Sequence, residues 1–187
     1  MKKILYTIWE IAEVFLVALI AVAAIKYFLI QPFIVNGASM EPSFFDGDYL
    51  LVDELSYHFE KPERGDVVVF KSPQDPSIYF IKRIIGLPGE SVEVDNNVVR
   101  INGQILDEKY LTNGISNEWS GHVSFKLTDS QYFTMGDNRI NSFDSRYWGP
   151  LDKQAIIGLV RLRLWPPSEI KFFENVNYQL STSTAGN

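Results

Sequence analysis

The sequence predicts a mainly β protein, an antiparallel β-sheet ectodomain preceded by one N-terminal transmembrane helix. Two patterns carry that prediction. Residues 4–30 read ILYTIWEIAEVFLVALIAVAAIKYFLI, an apolar stretch interrupted by Glu10, Glu13 and Lys26. From about residue 33 onward, short β-prone runs alternate with turn residues. The chain has 187 residues, which suits one domain of ordinary size with room for a small insertion.

The first element is the anchor. The uninterrupted apolar block at 14–25 is too short to span a bilayer alone. From Trp9 to Tyr27 a helix rises roughly 27 Å at about 1.5 Å per residue. That is close to the hydrocarbon thickness of roughly 30 Å. Trp9 and Tyr27 then fall at the two interfaces, with Lys26 snorkelling outward. Lys2 and Lys3 precede the span, so residues 1–3 are expected in the cytoplasm and the rest outside the cell membrane. Ala21-Val22-Ala23 also offers the A-x-A pattern of a cleavable signal peptide. The apolar run continues well past that site through Tyr27-Phe28-Leu29-Ile30, which favours a retained single-pass anchor over 4–30 in contact with lipid.

Strands follow. The clearest runs are 49–52, 67–70 and 78–85, then 91–94, 98–101, 123–127, 131–135 and 156–164. Phe45-Asp46-Gly47-Asp48, Arg64-Gly65-Asp66, Leu87-Pro88-Gly89 and Asn102-Gly103 separate them with turn chemistry. Many short strands joined by turns predict an antiparallel architecture over residues 31–180. Pro166-Pro167 is expected to end the last strand, and the small polar tail 181–187 to be disordered.

Composition removes several functions. There are 17 Lys plus Arg against 23 Asp plus Glu, a net charge of -6, which argues against nucleic acid as a partner. The absence of Cys excludes disulfides, thiolate metal sites and a Cys nucleophile. The two His, His58 in a polar stretch and His122 beside a turn glycine, leave little for a zinc site or a Ser-His-Asp triad. Gly37-Ala38-Ser39-Met40-Glu41 lacks the second Gly of a G-x-S-x-G elbow, and neither a P-loop nor G-x-G-x-x-G occurs. No metal or organic cofactor is called for.

A serine with a lysine base remains open. Such a lysine must lose its proton readily, so it must be desolvated. The run Tyr79-Phe80-Ile81-Lys82-Arg83-Ile84-Ile85-Gly86, taken as a strand, puts Lys82 on the face of Phe80 and Ile84. Arg83 falls on the other face with Ile81 and Ile85. Periodicity does not say which cation is buried, but only Lys can act as a base, because Arg stays protonated. The alternative is a lysine whose stem packs while its head reaches solvent. Ser39 is separated from the anchor by residues 31–38 alone, which holds it within about 30 Å of the membrane surface at no more than roughly 3.6 Å per residue. Phe33, Ile34, Val35, Met40, Phe44 and Phe45 can hold it closer by touching lipid. The alternative is an ordinary turn serine among Gly37, Pro42 and Gly47.

Four ordered segments then resemble one family. Gly37-Ala38-Ser39-Met40-Glu41-Pro42, with Asp46-Gly47-Asp48 downstream, resembles the nucleophile segment of bacterial type I signal peptidases. Arg64-Gly65-Asp66-Val67-Val68-Val69-Phe70 is similar to the next signature box, and Ile81-Lys82-Arg83-Ile84-Ile85-Gly86-Leu87-Pro88-Gly89-Glu90 to the lysine box. Gly136-Asp137-Asn138-Arg139, followed by Asn141-Ser142 and Asp144-Ser145-Arg146, resembles the last box. The resemblance runs from the anchor to about Leu164 and reverses the bland readings of Ser39 and Lys82.

The resemblance implies a membrane-anchored serine endopeptidase that removes signal peptides from exported preproteins after an A-x-A type site. It makes Ser39 the nucleophile and Lys82 the general base. Ser142 matches a serine that helps orient the lysine, and Asp137, Asp144 and Arg146 match residues that brace the site. The Ser39 backbone N–H would serve the oxyanion. Apolar walls for small side chains are expected near Met40. Gly37 stands where some members carry a second serine, and Ile140 where an Asp often lies, so a hydroxyl donor and a carboxylate are missing there. Residues from about 91 to 132 correspond to a short version of the family's variable inserted region. The rival readings are a non-catalytic, membrane-anchored assembly or chaperone factor of the same fold, and a self-cleaving Ser-Lys repressor. The presence of both Ser39 and Lys82 weighs against the first. The lack of a visible DNA-binding module weighs against the second.

Overall fold

The computed structural model describes residues 2–28, 30–96, 98–111 and 119–173, with the side chains of residues 2, 4, 5 and 21–30 outside that description. Helix α1 (Lys2–Phe28) leads to strand β1 (Ile30–Ile34), and a turn carries the chain to β2 (Tyr49–Asp53). A single helical turn, α2 (Ser56–Phe59), precedes β3 (Val67–Lys71) and β4 (Tyr79–Gly86). Next come β5 (Ser91–Asp95), β6 (Val98–Ile101), β7 (Gln104–Ile105) and β8 (His122–Lys126). The chain closes with β9 (Gln131–Met135), the short helix α3 (Ser145–Trp148), β10 (Leu151–Asp152), β11 (Ile156–Trp165) and β12 (Lys171–Phe172).

The strands form two antiparallel sheets. The larger runs β1-β2-β11-β3-β4-β9-β10, with β12 paired to the free length of β11, and the smaller runs β7-β6-β5-β8. The eight strands expected from the sequence all form, within a residue or so at their ends. Burial explains their differing patterns. β5 alternates buried and half-buried residues, as a strand with one covered face should. In β3 the residues Val67, Val68, Val69 and Phe70 are all buried. Val67 and Val69 enter one core with Met40, Phe44 and Leu50, while Val68 and Phe70 enter another with Ile84 and Tyr132. A central strand covered on both faces needs a continuous apolar run.

Three expectations are corrected. The anchor segment was drawn to residue 30, yet Ile30 already pairs with Asp53 in the sheet. Pro32 is accepted in that strand because β1 lies at the sheet edge. Of the six apolar residues around Ser39 that could touch lipid, Val35, Met40 and Phe44 are core residues, whereas Ile34 and Phe45 are exposed. Pro166-Pro167 ends β11 but not the sheet, since β12 returns to pair Phe172 with Leu162. The tail 181–187 lies outside the described residues. The described side chains of α1 from Tyr6 to Ile20 are all exposed. Among the described residues no helix is long and apolar enough to cross a membrane, so the segment expected as an anchor stands here only as a helix.

Candidate active site

Ser39 lies in the turn between β1 and β2. Gly37 begins that turn at φ +88, a conformation that favours glycine, and its N–H donates to Asp46 Oδ1 at 2.6 Å. Met40 and Phe44 are wholly buried beneath the turn, and the Phe44 N–H donates to the Met40 carbonyl at 2.9 Å. Ser39 is thereby held half-buried between two core side chains and the open surface. Asn138 fixes the turn from outside. Its backbone N–H donates to the Ser39 carbonyl at 3.1 Å, and its Nδ2 to the Ala38 carbonyl at 3.0 Å.

Lys82 arrives from β4. Its Nζ lies 2.7 Å from Ser39 Oγ, across 43 positions of sequence, and donates to the Ile81 carbonyl at 2.8 Å. Lys82 is 3% exposed, and the Phe80 ring centroid stands 5.4 Å from Nζ. The choice between Lys82 and Arg83 that periodicity left open has a simple outcome, because both are buried. Arg83 points elsewhere, giving Nε to Asp137 Oδ1 at 2.9 Å, Nη2 to Asp137 Oδ2 at 2.6 Å and Nη1 to the Gly65 carbonyl at 2.9 Å. Arg83 therefore ties β4 to the loop after β9 while Lys82 faces the serine.

That loop supplies a charged floor. Arg146 gives Nε to Asp144 Oδ1 and Nη2 to Asp144 Oδ2, both at 2.8 Å. Asp144 Oδ2 also accepts the Gly136 N–H at 2.9 Å and the Ser142 hydroxyl at 2.7 Å. Asp144 has no exposed surface, so a partner for every lone pair is what makes its burial tolerable. Ser142 thus turns toward Asp144, and its link to the lysine is through the charge it holds in place.

Burial is the main influence on Lys82 and lowers its pKa from the ordinary 10.5 to about 8. The carboxylates of Asp144 and then Asp137 oppose the shift, and the Arg146 cation favours it. An amine of that acidity is partly unprotonated near neutral pH.

The two side chains open on a groove of about 610 Å³. Val35, Leu50 and Val69 form a buried apolar floor on one part of it, with half-buried Ile81 and exposed Ile34 and Tyr79 at its edge, and Ile140, Phe143 and Tyr147 form an exposed wall on another. Met40 is not a lining residue, because the core takes its whole side chain. His58 and His122 are absent from the lining as well. Among the described residues no group of three or more His, Asp or Glu is placed to hold a metal ion. Sequence reasoning gave no role to Gly136 and Asn138 and excluded Arg83 only as a base, although all three stand inside the boxes that carried the resemblance.

A serine hydroxyl against a buried lysine amine, in an open groove on an antiparallel sheet, is the arrangement a serine hydrolase with a lysine base requires. Comparison with known proteins narrows the class. The family described as signal peptidase, peptidase S26, matches residues 8–165. A signal peptidase I of Leptolyngbya laminosa is 39% identical over 153 residues, covering 78% of this chain and 74% of that protein. Signal peptidase IB of Staphylococcus aureus is 32% identical over 186 residues, covering 91% and 94%. The crystal structure of a signal peptidase I from Enterococcus faecalis V583 aligns at a TM-score of 0.48 with 35% identity, over 54% of this chain and 97% of that one. The chain belongs to the signal peptidase family, peptidase S26, as its four boxes predicted.

Proposed function

We propose that the protein removes signal peptides from exported preproteins, with Ser39 as nucleophile and Lys82 as general base. The observation that carries this reading is the 2.7 Å approach of Lys82 Nζ to Ser39 Oγ, with the lysine desolvated. The neutral amine takes the Ser39 proton as Oγ attacks the carbonyl carbon before the cut. The Ser39 backbone N–H donates to the oxyanion. Lys82, now protonated, gives its proton to the departing amine, leaving an acyl-enzyme. The neutral lysine then activates a water, whose attack releases the signal peptide and restores Ser39. Asp137, Asp144, Arg146 and Ser142 keep the lysine placed and its charge balanced. The buried floor of Val35, Leu50 and Val69 suits the small side chains expected before the cut.

The same reading makes α1 a single-pass membrane anchor with residues 1–3 in the cytoplasm and residues 31–180 outside, residues 91–132 forming the insertion. What supports an anchor is that the described apolar side chains of α1, from Tyr6 to Ile20, are exposed. Lipid is the partner such a face suits. The test is cleavage of a preprotein by the full chain in detergent. Ser39→Ala and Lys82→Ala should each be nearly inactive, and retained cleavage by Lys82→Ala would sink the dyad. Alkaline washing of membranes should leave the full chain behind, and its release would remove the anchor.

A further inference from the structure

The groove is lined on two sides by surfaces of different kinds. The wall from β1 to β4 has a buried floor, with Val35, Leu50 and Val69 each under 5% exposed, below an open rim at Ile34 and Tyr79. The wall from the loop after β9 is open, with Ile140 50%, Phe143 45% and Tyr147 56% exposed. These three carry apolar surface that the core does not use, yet two of them are held in fixed positions. The Phe143 and Tyr147 rings stack at 5.6 Å with an interplanar angle of 30°. The Tyr147 hydroxyl accepts the Trp119 Nε1–H at 3.1 Å, and the Trp119 ring covers the Arg146 guanidinium at 5.0 Å. Trp119 in turn packs on the core of the smaller sheet. That sheet therefore steadies a groove to which it gives no lining residue.

An endopeptidase must seat chain on both sides of the bond it cuts. A buried apolar floor of this kind admits only small side chains, so it suits the residues before the cut. An open aromatic shelf excludes little and rewards contact area. We infer that Ile140, Phe143 and Tyr147 form a subsite for the first residues after the cut, that it favours uncharged apolar or aromatic side chains, and that Trp119 is its positioning residue. The shelf is continuous with the groove that holds Ser39 and Lys82, and it presents no charged side chain of its own. This inference rests on the proposed peptidase reading.

The test uses the full chain in detergent and preproteins identical through the cut, with Leu, Phe, Ser or Asp at the first two positions after it. The unaltered enzyme should show kcat/KM about three- to tenfold higher for Leu or Phe than for Ser, mainly through KM, and lowest for Asp. Phe143→Ser should bring that ratio close to one, while Phe143→Leu should restore most of it. Trp119→Phe keeps a ring but removes the N–H donor, and should lower the ratio to an intermediate value through KM. An active enzyme whose ratio is the same in Phe143→Ser overturns the subsite. An active unaltered enzyme with no preference overturns it equally. Failure of the unaltered enzyme to cut any of the four overturns the peptidase reading beneath it.

Discussion

Gly136 approaches Ser39 so closely that a Cβ in its place would lie 2.4 Å from the Ser39 carbonyl oxygen and 2.3 Å from Ser142 Oγ. The nearby Asn138 N–H donates to that same carbonyl, so the Ser39 turn is clamped against this loop. Gly136→Ala must push the turn away from Lys82. Misplacement on this scale should lower kcat/KM about 10²-fold, with a smaller loss of stability of about 1–3 kcal/mol. Kinetics alongside a thermal melt separate the two effects. Near-normal kcat/KM would show that the clamp has more slack than the geometry implies.

The depressed pKa of Lys82 sets the pH dependence. The proposed dyad needs the neutral amine, so kcat/KM should rise with pH through about 8 and fall away on the acid side. A pH profile on a fixed preprotein checks it. A limb near the ordinary lysine value of 10.5 would mean the amine is not desolvated in solution.

The same shift costs stability. A lysine whose folded pKa lies below its unfolded value binds fewer protons when folded. Folding is therefore penalised below about 8, and stability rises as pH climbs from about 8 toward 10.5. Lys82→Met removes the penalty and should be inactive yet more stable at pH 7, by on the order of 3 kcal/mol. Its advantage should shrink across that window. Denaturant titrations at three pH values test this, and a destabilised Lys82→Met at pH 7 would contradict it.

Asp144 binds Arg146, Ser142 and the Gly136 N–H together. Asp144→Asn keeps the shape but leaves the buried Arg146 cation uncompensated. Loss of such a partner typically costs about 3–5 kcal/mol. Because the Asp144 charge holds the lysine pKa up, its removal should also move the acid limb of activity to lower pH. An unmoved limb in the folded variant would detach Asp144 from the lysine.

The Arg83–Asp137 pair, bound at 2.9 and 2.6 Å, joins β4 to the same loop. Arg83→Met strands a buried carboxylate and should lose about 3–5 kcal/mol, whereas Arg83→Met with Asp137→Leu should recover part of it. Chemical denaturation of both variants reads the difference. Equal losses would mean the pair is not an energetic unit.

Much of the fold was legible because its signals are local. The eight main strands carry their own alternation or continuous apolar runs, and Gly-rich turns punctuate them. β1 escaped the sequence because its first residue continues the apolar run of the helix, and only its pairing with β2 shows where the strand begins. Met40 was drawn into the groove because adjacency to Ser39 in sequence does not reveal which way a turn faces.

The residues alone disclose the inventory: no Cys, two His, and a serine and a lysine within ordered boxes, which leaves lysine as the candidate base. They also determine the strand content, since period and turn chemistry are written residue by residue. Only the tertiary structure decided which side chains meet. The pairing of β3 with β4 and β4 with β9 brings Lys82 beside the loop of Asp137 and Asp144, and the buried turn lays Ser39 on top. Desolvation and the opposing carboxylates act through space, so the basicity of Lys82 is a property of the packed molecule that no local stretch of residues encodes.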